Sequence, residues 1–206
     1  MGDITVDLRA EVEAHLAVAG QVSDMLPDLV AAGEALIDVF GAGGKLYVIG
    51  NGGSAAESQH FAAELVGRFR RNRRPLPALA LTTDTSVLTA VANDFAFESV
   101  FARQIQALVR ADDAVVAFTT SGRSRNVLDG LAEAHRIGAT TILFSGSYRD
   151  RLVATPSFSF LVRSDVSARV QEAHLLLLHL LSEVIDRWAG ATPGESNPGG
   201  GVRRRR

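Results

Sequence analysis

The chain contains no cysteine, which excludes disulfides and thiolate metal sites. It has a single lysine, Lys45, against twenty arginines, a bias that points to a GC-rich genome. No apolar run is long enough to span a bilayer, and Met1-Gly2-Asp3-Ile4 does not open a secretory signal, so no membrane is expected and the cytoplasm is the expected location. The formal net charge is only −2, and four of the positive charges are Arg203 to Arg206, so no nucleic-acid surface is indicated. Internal repeats and dividing linkers are also missing. What remains is 206 residues, 47% hydrophobic and 21% charged, enough for one globular domain with a proper core. Chemistry near neutral pH falls to carboxylates and five histidines, His15, His60, His135, His174 and His179.

From about Ile4 to Phe40, apolar residues recur at helical spacing (Val12, Leu16, Val22, Leu26, Val30, Leu36). Pro27 starts a second helix there or bends the first. His15 reads as a surface or packing residue. After the turn Gly41-Ala42-Gly43-Gly44, strand candidates appear at Leu46–Ile49, Ala78–Leu81, Ala114–Phe118, Thr140–Phe144 and Phe158–Val162. Helices are expected after Ser54, Ser86, Ser124 and Arg149, with a last one from near Ser167. Apolar strands alternating with helices predict an α/β fold with a doubly wound, five-stranded parallel sheet. A helical extension, residues 1–40, precedes the domain at 41–189, and 190–206 read as a disordered tail.

The chain is organised around Val48–Leu65. An apolar strand ends at a glycine cluster, Gly50-Asn51-Gly52-Gly53, and the chain restarts as an alanine-rich helix. Strand, glycine turn and helix together predict free backbone N–H groups facing an anion. Ser54 either caps this helix or binds the anion. His60 and Glu64, four residues apart, project from one helix face. An anion cradle followed by an acid/base pair points to phosphorylated-substrate chemistry.

A second loop, Thr119-Thr120-Ser121-Gly122-Arg123-Ser124, follows the strand Ala114–Phe118 and leads into a helix. Its hydroxyls and backbone donors suit a phosphate, although such a loop can also simply cap its helix. In doubly wound sheets, ligands bind at the carboxyl ends of strands, where both loops fall. The segment Arg68–Arg74 carries five arginines and reads as a solvated basic loop. Arg68, four residues beyond Glu64, is the member best placed to pair with that carboxylate or reach a substrate. Asn93 and Asp94, expected just after a helix, can reach the same mouth, where Asp94 either caps a helix or bonds sugar hydroxyls.

The last helix bears leucines on nearly every side, so burial in the core or a subunit contact is expected. Gln171, His174 and His179 are its informative polar groups. At about 100° per residue, His179 lies roughly 80° from Gln171 and 140° from His174. The two histidines therefore do not share a face, and spacing leaves open which of them does chemistry.

The runs GNGGSAAESQHFAAELVGRFR, VANDFAFESVFARQI, TTSGRSRNV and SARVQEAHLLLLH resemble those of the bacterial phosphoheptose isomerases, sugar-isomerase (SIS) domain enzymes of flavodoxin-like fold. The resemblance covers about residues 4 to 188, with the motifs in the expected order. It implies conversion of D-sedoheptulose 7-phosphate to D-glycero-D-manno-heptose 7-phosphate, the first step of nucleotide-activated heptose biosynthesis. Glu64 would move the proton between C1 and C2, with His179 as its partner on the oxygens. Ser54, Thr119, Ser121 and Ser124 match phosphate positions. Asn51, Gly52, Gly53, Arg68, Asn93, Asp94, Thr120 and Gln171 fall at or beside positions near the sugar. Zinc is implied on His60, Glu64, Gln171 and His179, and no nucleotide cofactor is expected. Ala168 replaces an aspartate found in some members. The alternative is a non-catalytic SIS binding protein of the DnaA initiator-associating type. That group shares the fold but lacks counterparts of Glu64 and His179.

Helix geometry adds an expectation about assembly. Glu64 follows Ser54 by ten residues, about 15 Å along a helix at 1.5 Å per residue. A seven-carbon sugar phosphate anchored at Ser54 would not bring C1 and C2 there. Phosphate and acid/base groups of one site are thus expected from different subunits of a symmetric oligomer, a homotetramer by the resemblance.

Overall fold

The computed structural model describes residues 4–147 and 155–191. The helix expected after Arg149 and the tail from residue 192 onward lie outside the described residues.

Two helices open the chain, α1 (Ile4–Gly20) and α2 (Leu26–Gly41), separated by a 3₁₀ turn at Gln21–Met25. Pro27 occupies the first turn of α2, where its missing N–H costs no helical bond, so it starts a helix rather than bending one. Leu29, Ala32, Leu36 and Phe40 of α2 are core residues, and α2 thereby belongs to the body of the domain. The chain then runs through β1 (Leu46–Gly50), α3 (Gly53–Val66), β2 (Ala78–Ala80), α4 (Thr85–Asp94) and α5 (Val100–Leu108). It continues with β3 (Ala114–Thr119), α6 (Arg125–Ile137), β4 (Thr140–Gly146), β5 (Phe158–Val162) and α7 (Ser167–Ala191). Gly190 and Ala191, read from sequence as tail, are the last residues of α7.

The five strands form one parallel sheet in the order β2-β1-β3-β4-β5. Alternate side chains of the three central strands, β1, β3 and β4, enter opposite cores, as the two-residue period requires. Leu46 and Val48 of β1, with Val116 and Phe118 of β3, pack beneath α2, α3 and α7. Tyr47, Ile49, Val115 and Ala117 face α5 and α6 on the other side. Phe118, Phe144 and Phe160 are register partners on β3, β4 and β5, and their rings stack at 4.9 and 5.0 Å. Strand order reverses between β1 and β3. The loops leaving these two strands flank the crevice where such sheets bind ligands.

α7 divides its leucines between two faces. Ala173, His174, Leu177, Leu178, Leu181 and Ile185 are buried, whereas Leu175 and Leu176 are exposed. The helix is a core element on one face only. In α1, Ile4, Val6, Leu8, Val12 and Leu16 are likewise exposed. No described helix is long and apolar enough to cross a membrane.

Candidate active site

β1 delivers the chain to the glycine turn. Gly52 adopts φ +57°, a left-handed backbone that L side chains rarely take. Gly53 leaves room for another side chain, since a Cβ there would lie 2.3 Å from the Gln171 side-chain nitrogen and would push that amide aside. Gln171, from the first turns of α7, therefore closes directly over the turn. The first-turn N–H groups are less open than the sequence implies. Those of Ser54 and Ala55 bond back to Asn51 and Gly52 carbonyls at 2.9 and 3.0 Å. Ser54 is no cap: Gly52 is the N-cap residue, and Ser54 is buried within the first turn.

The second loop is held by its own hydroxyls. Gly122 N donates to Thr119 Oγ1 at 3.2 Å, Arg123 N donates to Ser121 Oγ at 3.2 Å, and Ser124 starts α6 without capping it through its side chain. Ser167 Oγ on α7 donates to Thr120 Oγ1 at 3.3 Å. A cavity of about 240 Å³ opens here, lined by Thr120, Ser121, Arg123, Ser147, Ser164, Asp165 and Ser167. Hydroxyls, one guanidinium and the start of a long helix are donors suited to an oxyanion. A larger groove of about 500 Å³ lies between β2, α4 and α5, lined by residues such as Leu79, Leu81, Val87 and Val91. It contains none of the candidate residues.

The two loops are joined by a pair that sequence reading missed in part. Asn51 and Asn126 exchange amide hydrogen bonds, 2.8 Å in each direction. Asn126 lies in the first turn of α6, and its position two residues after Ser124 was the only signal for it.

The acid/base cluster lies where α3 meets α7. His60 Nε2 is 3.2 Å from Glu64 Oε1 and 3.0 Å from His179 Nε2. Donor atoms of the three residues all lie within 4.8 Å of one another. His60 and Glu64 meet because they are one turn apart. His179 joins them because α7 packs along α3 with this face inward. Phe69 stacks on the His179 ring at 5.7 Å between centroids. The His179 pKa lies below the ordinary imidazole range, chiefly through burial, then through His60, with Glu64 opposing and Arg70 adding to the depression.

His174 has a different fate. It is fully buried against Phe118 and Phe144. Burial pulls its pKa down to about 4, slightly offset by the Ser145 backbone. It is a neutral core residue, and the helical offset between the two histidines is what lets one face the core and the other the cluster.

Other candidates stand further out. α3 ends at Val66, so Arg68 falls beyond the helix, and Glu64 pairs with His60 rather than with Arg68. Asn93 and Asp94 are the final residues of α4, not residues after it. Both are exposed, and Asn93 Nδ2 donates to Asp94 Oδ1 at 2.8 Å. The basic run is not simply a solvated loop, because the Arg73 side chain is 1% exposed and pairs with Asp186 at 3.0 Å. His15, read as a surface or packing residue, pairs with Glu172 at 2.8 Å. Glu57, which sequence reading passed over, is buried near the start of α3. Burial pushes its carboxyl up to about 7, opposed by the neighbouring Ser54 hydroxyl. Neither carboxylate oxygen reaches full hydrogen-bond geometry with a partner.

A parallel sheet with two donor-rich loops at its switch point and an imidazole–carboxylate cluster beside them defines a SIS domain, and the SIS domain family model matches residues 15–146. Phosphoheptose isomerase of Aquifex aeolicus is 51% identical over 144 residues, covering 70% of this chain and 75% of the relative. That of Geotalea uraniireducens is 43% identical over 182 residues, covering 88% and 96%. The structure of phosphoheptose isomerase GmhA from Neisseria gonorrhoeae superposes with a TM-score of 0.84 at 35% identity, covering 90% of this chain and all of that one. The chain belongs to the phosphoheptose isomerase family and is an isomerase.

Proposed function

We propose that the chain converts D-sedoheptulose 7-phosphate to D-glycero-D-manno-heptose 7-phosphate, with Glu64 and His179 as the proton-transfer pair. The observation that carries this reading is the meeting of Glu64, His60 and His179 between α3 and α7. Ketose-to-aldose conversion removes a proton from C1, passes through an enediol, and returns a proton to C2. A carboxylate within reach of both carbons performs both transfers. The oxygens must change partners in step: O2 gains a proton as the enediol forms, and O1 gives one up as the aldehyde appears. His179, whose depressed pKa keeps it neutral near pH 7, can accept and return that proton.

The phosphate is assigned to Thr119, Ser121 and Ser124 together with Ser54. The sugar is assigned to Asn51, Gly52, Gly53, Arg68, Asn93, Asp94, Thr120 and Gln171. Two imidazoles and one carboxylate in mutual reach form a donor set that fits zinc. His60, Glu64 and His179 would hold the ion, with Gln171 as the further ligand from the family. A bound zinc would supply Lewis-acid polarisation of the substrate carbonyl.

We assign the enzyme to the cytoplasm and to a homotetramer with shared sites. The uncovered apolar residues of α1 and the exposed Leu175 and Leu176 of α7 support subunit contacts. Heptose 7-phosphate formation from sedoheptulose 7-phosphate, followed with and without a chelator, tests the reaction. Glu64→Gln is expected to lose at least about a hundredfold in kcat. Near-normal turnover by that variant would refute the role given to Glu64.

A further inference from the structure

We infer that the buried pair Arg73–Asp186 is a positioning device that holds Glu64 and His179 at their working separation and lays Phe69 against the His179 ring. The inference rests on reading Glu64 and His179 as the proton-transfer pair.

Arg73 stands apart in its basic run. Arg68, Arg70 and Arg71 are exposed, and Arg74 lies over Trp188 at 5.2 Å. The side chains of Arg73 and Asp186 are 1% and 0% exposed. Burying two charges is tolerable only when they are paired and their remaining donors and acceptors are met. Here they are. Arg73 Nε donates to Asp186 Oδ1 at 3.0 Å, and Nη1 donates to the Leu65 and Arg74 carbonyls at 2.7 and 2.9 Å. Arg73 Nη2 donates to the Glu64 carbonyl at 2.7 Å. Asp186 Oδ2 accepts from Arg70 N and Arg71 N at 3.2 and 2.8 Å.

These bonds join three pieces of chain. The Glu64 and Leu65 carbonyls belong to the last turn of α3, where carbonyls lack helical partners and a cation is favoured. One guanidinium thus grips the backbone of the residue that carries the carboxylate. Asp186 lies seven residues after His179, about two turns along α7 and within roughly 20° of the same face. The third piece is the segment between them. Asp186 captures the N–H groups of Arg70 and Arg71, and the residue just before them, Phe69, stacks on His179. Arg70 Nη1 also reaches Glu183 on α7 at 3.6 Å.

Cohesion alone does not call for such a pair, since apolar residues of similar volume serve stability as well or better. Directional bonds to the Glu64 backbone and to the helix of His179 instead set one spacing between α3 and α7. Misplacement of reacting groups by about 1 Å can cost on the order of a hundredfold in rate.

The test compares Asp186→Asn, Phe69→Ala and Phe69→Tyr with Arg187→Gln, a control on α7 whose own side chain is 69% exposed. Thermal midpoint, kcat and KM for sedoheptulose 7-phosphate are measured on folded protein. Asp186→Asn and Phe69→Ala are expected to lower kcat about ten- to hundredfold with KM within about threefold. Phe69→Tyr, which keeps the ring, should restore kcat, and Arg187→Gln should match the unaltered chain. Wild-type kcat in folded Asp186→Asn and Phe69→Ala overturns the inference. If Asp186→Asn does not fold, Phe69→Ala, altered at a half-exposed position, decides by the same criterion. Glu64→Gln run alongside separates the two levels. Turnover by that variant removes the underlying reading, and the inference with it. An inactive Glu64→Gln beside fully active Asp186→Asn and Phe69→Ala removes only the positioning role.

Discussion

Asn51 and Asn126 satisfy one another, each carboxamide donating to the other's oxygen at 2.8 Å. The glycine turn after β1 and the first turn of α6 are thereby held as one unit, with Asn126 buried. Asn126→Ala leaves the Asn51 amide without its partner, at a cost of about 1–3 kcal/mol. The expected result is a lower thermal midpoint together with a raised KM for the sugar phosphate, because the two loops lose their common register. Unchanged KM in a folded Asn126→Ala protein would separate this pair from substrate binding.

Metal binding should follow the three-residue cluster. Protein stripped with a chelator and titrated with zinc is expected to take up one ion per subunit. His60→Ala removes one imidazole of the set and should weaken that uptake by at least about tenfold. Direct metal analysis after equilibrium dialysis reads the result without any assay of turnover. Equal zinc content in both proteins would place the ion elsewhere.

Stability against pH carries two opposing signatures. The folded pKa of His174 is depressed to about 4 from 6.5. The unfolded chain therefore takes up a proton that the folded one refuses, and stability falls as pH drops from 6.5 toward 4. Glu57 has the opposite sign. Its folded pKa is raised from 4.5 to about 7, so its contribution is complete below 4.5 and disappears as pH rises through 7. Glu57→Gln is neutral at every pH. Measured against the unaltered chain, its thermal midpoint should improve between pH 4 and pH 8, by an amount equivalent to at most about 3 kcal/mol. A pH-independent difference between the two proteins would contradict the buried, protonated state of Glu57.

The proposed sharing of sites between subunits is tested by a mixing experiment. Ser121→Ala disables the hydroxyl loop and Glu64→Gln disables the carboxylate, each in every site of its own oligomer. After subunit exchange, some sites should combine an intact loop from one chain with an intact carboxylate from the other. Partial recovery of activity is expected. No recovery, with exchange confirmed by mass, would argue for sites built within one chain.

The strands were legible because their signal is local. Leu46–Gly50 and Ala114–Thr119 are short apolar runs bounded by turn residues, and the sheet buries both faces of such runs. The His60–Glu64 pair was legible for the same reason, since residues four apart on a helix must be neighbours. Asn93 and Asp94 were misplaced by a few residues because a helix end has a weak pattern where α4 buries none of its side chains. Glu57 gave no signal, because an acidic residue in the middle of a mixed helix ordinarily faces water.

By itself, the sequence determined the alternation of strand and helix, the two donor-rich loops at strand ends, and the angular offset between His174 and His179. Those properties are set by the chain's own period and by glycine's backbone freedom. Which face of α7 turns toward α3 was decided by tertiary packing. The phenylalanine ladder of β3, β4 and β5 takes in His174 and leaves His179 to join His60 and Glu64. The fate of Arg73 was decided in the same way. Its partner lies 113 residues away, and neither the charge nor the spacing of an arginine run reveals which member will meet a buried carboxylate. Local periodicity specifies what each element presents, and packing between distant elements specifies what those faces meet.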